Sequence, residues 1–169
     1  TEVEQAFGGI ESRYVELSEI GRTARVRPRV FTNMSWHGLW HASGGKSFIA
    51  VLLADAGADY VWKDTESERS IPMEFESVLE RAQNADVWIN TGNWGSRKEA
   101  IDADERYALF MAYKKSEMYN HVARVKEHGG NDYWESGVAN PHLVLADLIR
   151  IFHPESLSDH KLYYYRKLD

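Results

Sequence analysis

Residues 35–47, "SWHGLWHASGGKS", gather the side chains of this chain best suited to chemistry. Trp36-His37 and Trp40-His41 stand four residues apart, the spacing that sets two imidazoles on one helix face for a metal. The stretch ends in Gly-Gly-Lys-Ser, the tail of a phosphate-binding loop. Such a loop requires glycine five positions before its Gly-Lys-Ser, so that backbone N–H groups wrap the phosphates. Here that position is Trp40, and the phosphate reading fails. Gly44-Gly45 reads instead as the turn that starts a helix.

The metal reading is weaker than its spacing suggests. Gly38 interrupts any helix over 35–42, and no Asp, Glu or Cys stands nearby to complete the three protein ligands that zinc requires. The alternative of a metal-handling enzyme or chelatase-like domain rests on His37 and His41 converging with a distant third ligand. The histidines at 121, 128, 142, 153 and 160 form no His-x-x-x-His or His-Glu-x-x-His pattern. No Gly-x-Ser-x-Gly or Gly-x-Gly-x-x-Gly is present, and Asp102, Asp104 and Glu105 read as a solvated helix start. No catalytic residue is assigned.

The elements that must position these residues follow from periodicity. Val3, Phe7, Ile10, Tyr14 and Leu17 form one apolar helical stripe, interrupted by Gly8-Gly9, so that the helix is expected to begin near Ile10. "RVFTNMS" (29–35), "DYVW" (59–62) and "DVWIN" (86–90) read as strands, and "EMYNHV" as a fourth. Ile49, Leu52, Leu53 and Ala56 predict a helix from Ser47 that Gly57 ends. Phe75, Val78, Leu79 and Ala82 predict another, two shorter helical patterns cover 96–114, and Asn140-Pro141 opens a helix that stops before Pro154. "TESERSIPM" reads as a polar connection.

Strands alternating with one-sided helices predict βαβ units: an α/β, Rossmann-like three-layer lobe with a mostly parallel central sheet, preceded by a long helix. Ligands on such sheets bind beyond the carboxyl ends of the strands. That points to the loops 35–46, 63–73 and 91–95 and to whatever follows 120. The strand-end residues Trp36, His37, Trp40, His41, Asn93, Trp94 and Arg97 suit a bulky, partly flat, anionic ligand, with indole faces to stack and a guanidinium to clasp oxygens. Burial in a Trp-rich core is the competing reading for the indoles.

Net charge is −6, which leaves no nucleic-acid footprint. The absence of cysteine excludes disulfides, zinc–thiolate sites, iron–sulfur clusters and thiol catalysis. No apolar run is long enough to span a bilayer, no signal-peptide pattern opens the chain, and Thr1 stands where a processed or shortened chain would begin.

The stretches "GGKSFIAVLLADAGADYVW", "IPMEFESVLERAQNADVWIN", "NDYWESGVANPHLVLADLIRIFHPE" and the terminal "YYYRKL" resemble the periplasmic substrate-binding proteins of ABC importers. The group is the one with a rigid helix between its lobes, which carries iron-siderophores, haem and cobalamin. The resemblance implies that residues 1–24 are the end of the interlobe helix with its connector, and 25–169 the C-terminal lobe. It implies a non-enzymatic, periplasmic protein, with any lipid anchor on a segment ahead of Thr1 and the N-terminal lobe as its partner across a cleft. The ligand would be a bulky metal chelate (an iron-siderophore, haem or cobalamin) bound by Trp36, His37, Trp40, Trp94 and Arg97. Glu76, in the first turn of the helix before the third strand, would pair with arginines of the inner-membrane permease. One departure from the family pattern is Glu74, which stands where a Ser-type helix cap is usual.

Overall fold

A computed structural model describes residues 2–169, with side chains described from Phe7 onward. Helix α1 runs Glu2–Arg22 straight through Gly8-Gly9, so the helix does not start at Ile10. The glycines face open solvent, and tertiary packing further along the helix outweighs their propensity cost. Leu17 is fully buried and Tyr14 donates to Asp55 at 2.8 Å, whereas Phe7, of the same stripe, is exposed. Val3 lies outside the residues with described side chains.

The chain then enters β1 (Arg29–Thr32), β2 (Ser35–Trp36), β3 (Leu39–Ser43), α2 (Phe48–Asp55), β4 (Asp59–Tyr60) and β5 (Ser70–Met73). Ser47 caps α2, its hydroxyl accepting the Ala50 N–H. Next come α3 (Phe75–Ala82), β6 (Val87–Ile89), α4 (Arg97–Ala103), a 3₁₀ turn (Glu105–Leu109), α5 (Met111–Lys114) and β7 (Met118–Asn120). The chain closes with α6 (Asp132–Ser136), α7 (Pro141–Phe152) and β8 (Arg166–Lys167).

The central sheet has the order β4-β1-β6-β7-β8. The first four strands are parallel, with Phe31 opposite Trp88 and Trp88 opposite Met118, and β8 is antiparallel to β7. From β1, one crossover leads through α2 to β4 and the later ones lead back past β1 to β6 and β7. Right-handed crossovers therefore place α2 on one face and α3–α5 on the other. Helices α1 and α7 join α2. The lobe is an α/β, Rossmann-like three-layer unit with a mostly parallel sheet, and among the described residues no helix is long and apolar enough to cross a membrane.

Two further segments differ from the sequence expectation. Residues 35–43 are not a loop but a hairpin, turned by His37 (φ 49°) and Gly38 (φ 84°), the left-handed pair that suits a two-residue turn. The stretch ending at Met73 is not merely a connection, since β5 pairs antiparallel with β3 to make a second, three-stranded sheet.

The core is aromatic. Phe31 stacks on Trp88 at 5.0 Å, and Trp40, Tyr107 and Phe110 close around them. The base of α1 meets the end of α2 backbone to backbone: a Cβ on Gly21 would overlap Asp55 and Ala56, and one on Gly57 would overlap the Gly21 carbonyl. At the other end of the chain, the fully buried carboxylate of Asp147 on α7 accepts the consecutive N–H groups of Tyr163, Tyr164 and Tyr165.

Candidate functional site: a strand-end cavity with an aromatic rim

Three neighbouring parallel strands finish on asparagine. Asn33 follows β1 and Asn90 follows β6, both in the left-handed region (φ 72° and 58°), and Asn120 is the last residue of β7. Each is held by hydrogen bonds. Trp88 Nε1 donates to the Asn33 carbonyl at 2.7 Å, while Asn33 Nδ2 donates to the His41 carbonyl at 2.5 Å. Asn90 Oδ1 accepts the Tyr165 hydroxyl at 2.7 Å. Asn120 Nδ2 donates to the carbonyls of Gly92 and Trp94. Amide side chains suit such positions because they tolerate left-handed backbone and satisfy carbonyls at the turn.

The sharp exits leave a cavity of about 570 Å³ beyond the strand ends. Its floor includes Asn33, Asn90, Gly92 and Asn93; the hairpin gives Trp36, His41 and Ser43; the start of α2 gives Ser47 and Phe48; and His121, Tyr133 and Trp134 close the far side. Three large side chains at this rim stand in solvent: Trp36 is 61% exposed, Phe48 61% and Trp134 64%. Among the described residues, Glu68 is the one carboxylate in the wall, and no Lys or Arg lines it.

The expected contact residues divide. Trp36 and His41 line the cavity, and His37 lies beside Trp36 with ring centroids 4.8 Å apart. Trp40 does not reach it: the indole has no exposure, packs against Phe31 and Trp88, and donates to the Thr32 carbonyl at 2.9 Å. Strand alternation is the reason, since Trp40 and Ala42 face the core and His41 faces out. Trp94 is buried against Trp88 and Tyr107. Arg97 is turned to Tyr113, over whose ring its guanidinium sits at 4.5 Å while Nη2 donates to the Tyr113 carbonyl. The packing reading thus holds for Trp40 and Trp94, and the guanidinium expected at the ligand is spent elsewhere.

Neither alternative chemistry gains a site. The N–H groups of Gly44, Gly45 and Lys46 donate to the Arg69 carbonyl, the Thr65 hydroxyl and the Ser67 carbonyl, so none is free for a phosphate. Side chains on Gly44 and Gly45 would overlap that same 62–69 backbone, which explains the glycine pair. His37 sits in the hairpin turn and His41 on β3, and among the described residues no three His, Asp or Glu come together as a metal set.

His121, Tyr133 and Trp134 were not singled out by sequence reasoning. His121 is nearly buried, stacked on Tyr133 at 4.3 Å with the rings 8° from parallel, and burial lowers its pKa to about 4. Glu76, in the first turn of α3, is 77% exposed and 3.5 Å from Arg106, and Glu74 makes no side-chain cap to that helix.

No family model matches the chain. Over 143 residues it is 24% identical to an uncharacterised lipoprotein of Methanocaldococcus jannaschii, spanning 83% of this chain and 33% of that protein. A TroA-like periplasmic binding protein from Veillonella parvula superposes with a TM-score of 0.68 at 16% identity, over 95% of this chain and 54% of its own. S. aureus IsdE, complexed with heme, gives 0.59 at 18% identity, over 85% and 54%. An ABC-type Fe3+-hydroxamate transport protein from Saccharomonospora viridis gives 0.56 at 17% identity, over 85% and 46%. The chain has the α/β lobe fold of these periplasmic binding proteins and spans about half their length.

Proposed function

We propose that this chain is the C-terminal lobe of the extracytoplasmic solute-binding component of an ABC importer, with residues 1–24 as the end of the interlobe helix and its connector and 25–169 as the lobe. It binds a bulky metal chelate of the siderophore, haem or cobalamin type and hands it to the permease. The protein acts by binding, not catalysis. The observation that carries this reading is the strand-end cavity with three exposed aromatic side chains at its rim, on a fold shared with binding proteins for such ligands. Aromatic side chains left in water cost free energy unless something covers them, and a flat or bulky ligand does.

Trp36, His37, His41, Phe48 and Trp134 form the contact surface in this reading. Trp40, Trp94 and Arg97 serve from behind it, as packing that fixes the hairpin and the strand ends. Glu76 faces the permease. A missing N-terminal lobe closes the cleft from the other side, and an anchor of the lipoprotein kind holds the protein at the membrane. The test is titration of full-length protein with ferric siderophores, haem and cobalamin. Trp36 and Trp134 fluorescence is expected to be quenched by one class, and no quenching by any of them would refute the ligand assignment.

A further inference from the structure

Tyr165 lies behind the cavity and does not line it. It is 1% exposed and sits near the end of the chain, yet it touches three residues that do line the cavity and that come from three different segments. Its hydroxyl donates to Asn90 Oδ1 at 2.7 Å, where the chain leaves β6. Its ring meets that of His121, just past β7, at 6.1 Å and 78°. It meets Tyr133, in the first turn of α6, at 5.9 Å and 83°. The His121 and Tyr133 rings are parallel to each other, so one phenol stands edge to face against the pair.

These walls need the support. Asn90 has φ 58°, a conformation uncommon outside glycine, and among the described residues its carboxamide has no other side-chain partner. His121 and Tyr133 belong to an excursion between β7 and α7, closed on itself where Asn131 Nδ2 donates to the His121 carbonyl at 2.8 Å. Tyr165 joins that excursion to the end of β6. It is itself anchored, since its N–H donates to the buried carboxylate of Asp147 at 2.9 Å. Burial pushes its phenol well above the ordinary tyrosine range, so the hydroxyl keeps its proton and stays a donor.

We propose that Tyr165 is a positioning residue for the cavity: it touches no ligand, and its hydroxyl, acting through Asn90, sets how the cavity walls stand to one another. This deepens the importer reading and rests on it. Without the hydroxyl, Asn90 Oδ1 loses its donor, and the turn into Gly92 and Asn93 on the cavity floor is free to rearrange. The ring contacts with His121 and Tyr133 need no hydroxyl. Tyr165→Phe therefore separates the hydrogen bond from the packing.

The experiment is a double-mutant cycle on full-length protein. Affinity is measured for ferrichrome, haemin and cyanocobalamin, and the variants are compared on a probe that wild type binds. Tyr165→Phe is expected to weaken binding about threefold to thirtyfold. Asn90→Gly removes the carboxamide and suits the left-handed exit from β6. In that background Tyr165→Phe is expected to change affinity less than about twofold, because the residue it acts through is gone. Val78→Ala, a truncation of a fully buried residue of α3 that does not line the cavity, controls for destabilisation alone and is expected to bind as wild type does. Unchanged affinity in Tyr165→Phe, the same loss in both backgrounds, or an equal loss in Val78→Ala would each overturn this inference and leave the importer reading standing. Wild-type protein that binds none of the probes would remove both.

Discussion

Asp147 Oδ1 lies 2.6 Å from His160 Nε2, although the carboxylate is wholly buried and its partner sits on the segment after α7. The same carboxylate accepts three successive backbone N–H groups, from Tyr163 to Tyr165, and Tyr165 in turn holds Asn90 at the floor of the cavity. One side chain on α7 thus ties the C-terminal segment to a cavity-lining asparagine. Asp147→Ala would strand three N–H donors and the imidazole. We expect a loss of about 3–5 kcal/mol in urea denaturation, with Asp147→Asn less damaging because one acceptor oxygen remains. A loss under about 1 kcal/mol for the alanine variant would show that the segment is held by other contacts.

The two indoles of the Trp-His pairs make opposite predictions. Trp40→Ala removes the centre of an aromatic core and the bond to Thr32, and should cost about 3–5 kcal/mol of stability. Trp36→Ala and Trp134→Ala remove exposed rings, and should change stability by less than about 0.5 kcal/mol. Those two should instead weaken chelate binding about tenfold each in a fluorescence or calorimetric titration. Trp36→Ala with unchanged affinity would take that indole out of the contact surface.

The pH dependence follows from His121. Its pKa in the folded protein is about 4, below the ordinary histidine value, because burial penalises the imidazolium. Between those two values the unfolded chain binds more protons than the folded one, so stability rises with pH through this window and is level above it. Acidification from neutrality toward pH 4 should therefore remove up to about 3 kcal/mol, and His121→Gln should remove that part of the slope. Urea midpoints for both proteins at pH 4.5 and 7.5 check this; equal differences would mean that other groups carry the slope.

Glu76 separates docking from binding. Its carboxylate is well exposed and its contact with Arg106 is a surface pair, so Glu76→Lys should change stability by less than about 1 kcal/mol. Ligand affinity should stay the same, and transport in cells should fall. An unchanged transport rate would sink the docking role.

The alternation of strands and helices was legible because each α/β element carries its own period, and the Ser47 cap and the Asn140-Pro141 start announce themselves locally. The hairpin was not. Gly38 reads as an interruption in a helical spacing, while the five residues of β3 are too few for alternation to stand out. Consequently Trp36 and Trp40, identical in type and in their following histidine, looked equivalent, and only the pairing of β3 with β5 sends one into the core. The candidate site was half legible: strand-end geometry pointed to loops that border the cavity, and Trp36 and His41 line it. His121 carried no motif, because its properties come from Asn131 and Tyr133 folding back onto it. Arg97 misled because a guanidinium at a strand-end loop can satisfy itself on a nearby aromatic ring and carbonyl.

The close meeting of Gly21 with the end of α2 gives α1 a mechanical character. At Gly21 the approach is backbone against backbone, Gly57 meets the Gly21 carbonyl, and alongside it the side chains of Tyr14 and Arg22 both hold Asp55. The base of α1 is thus fastened to the lobe by main chain and side chain together, so that helix and lobe are expected to move as one piece.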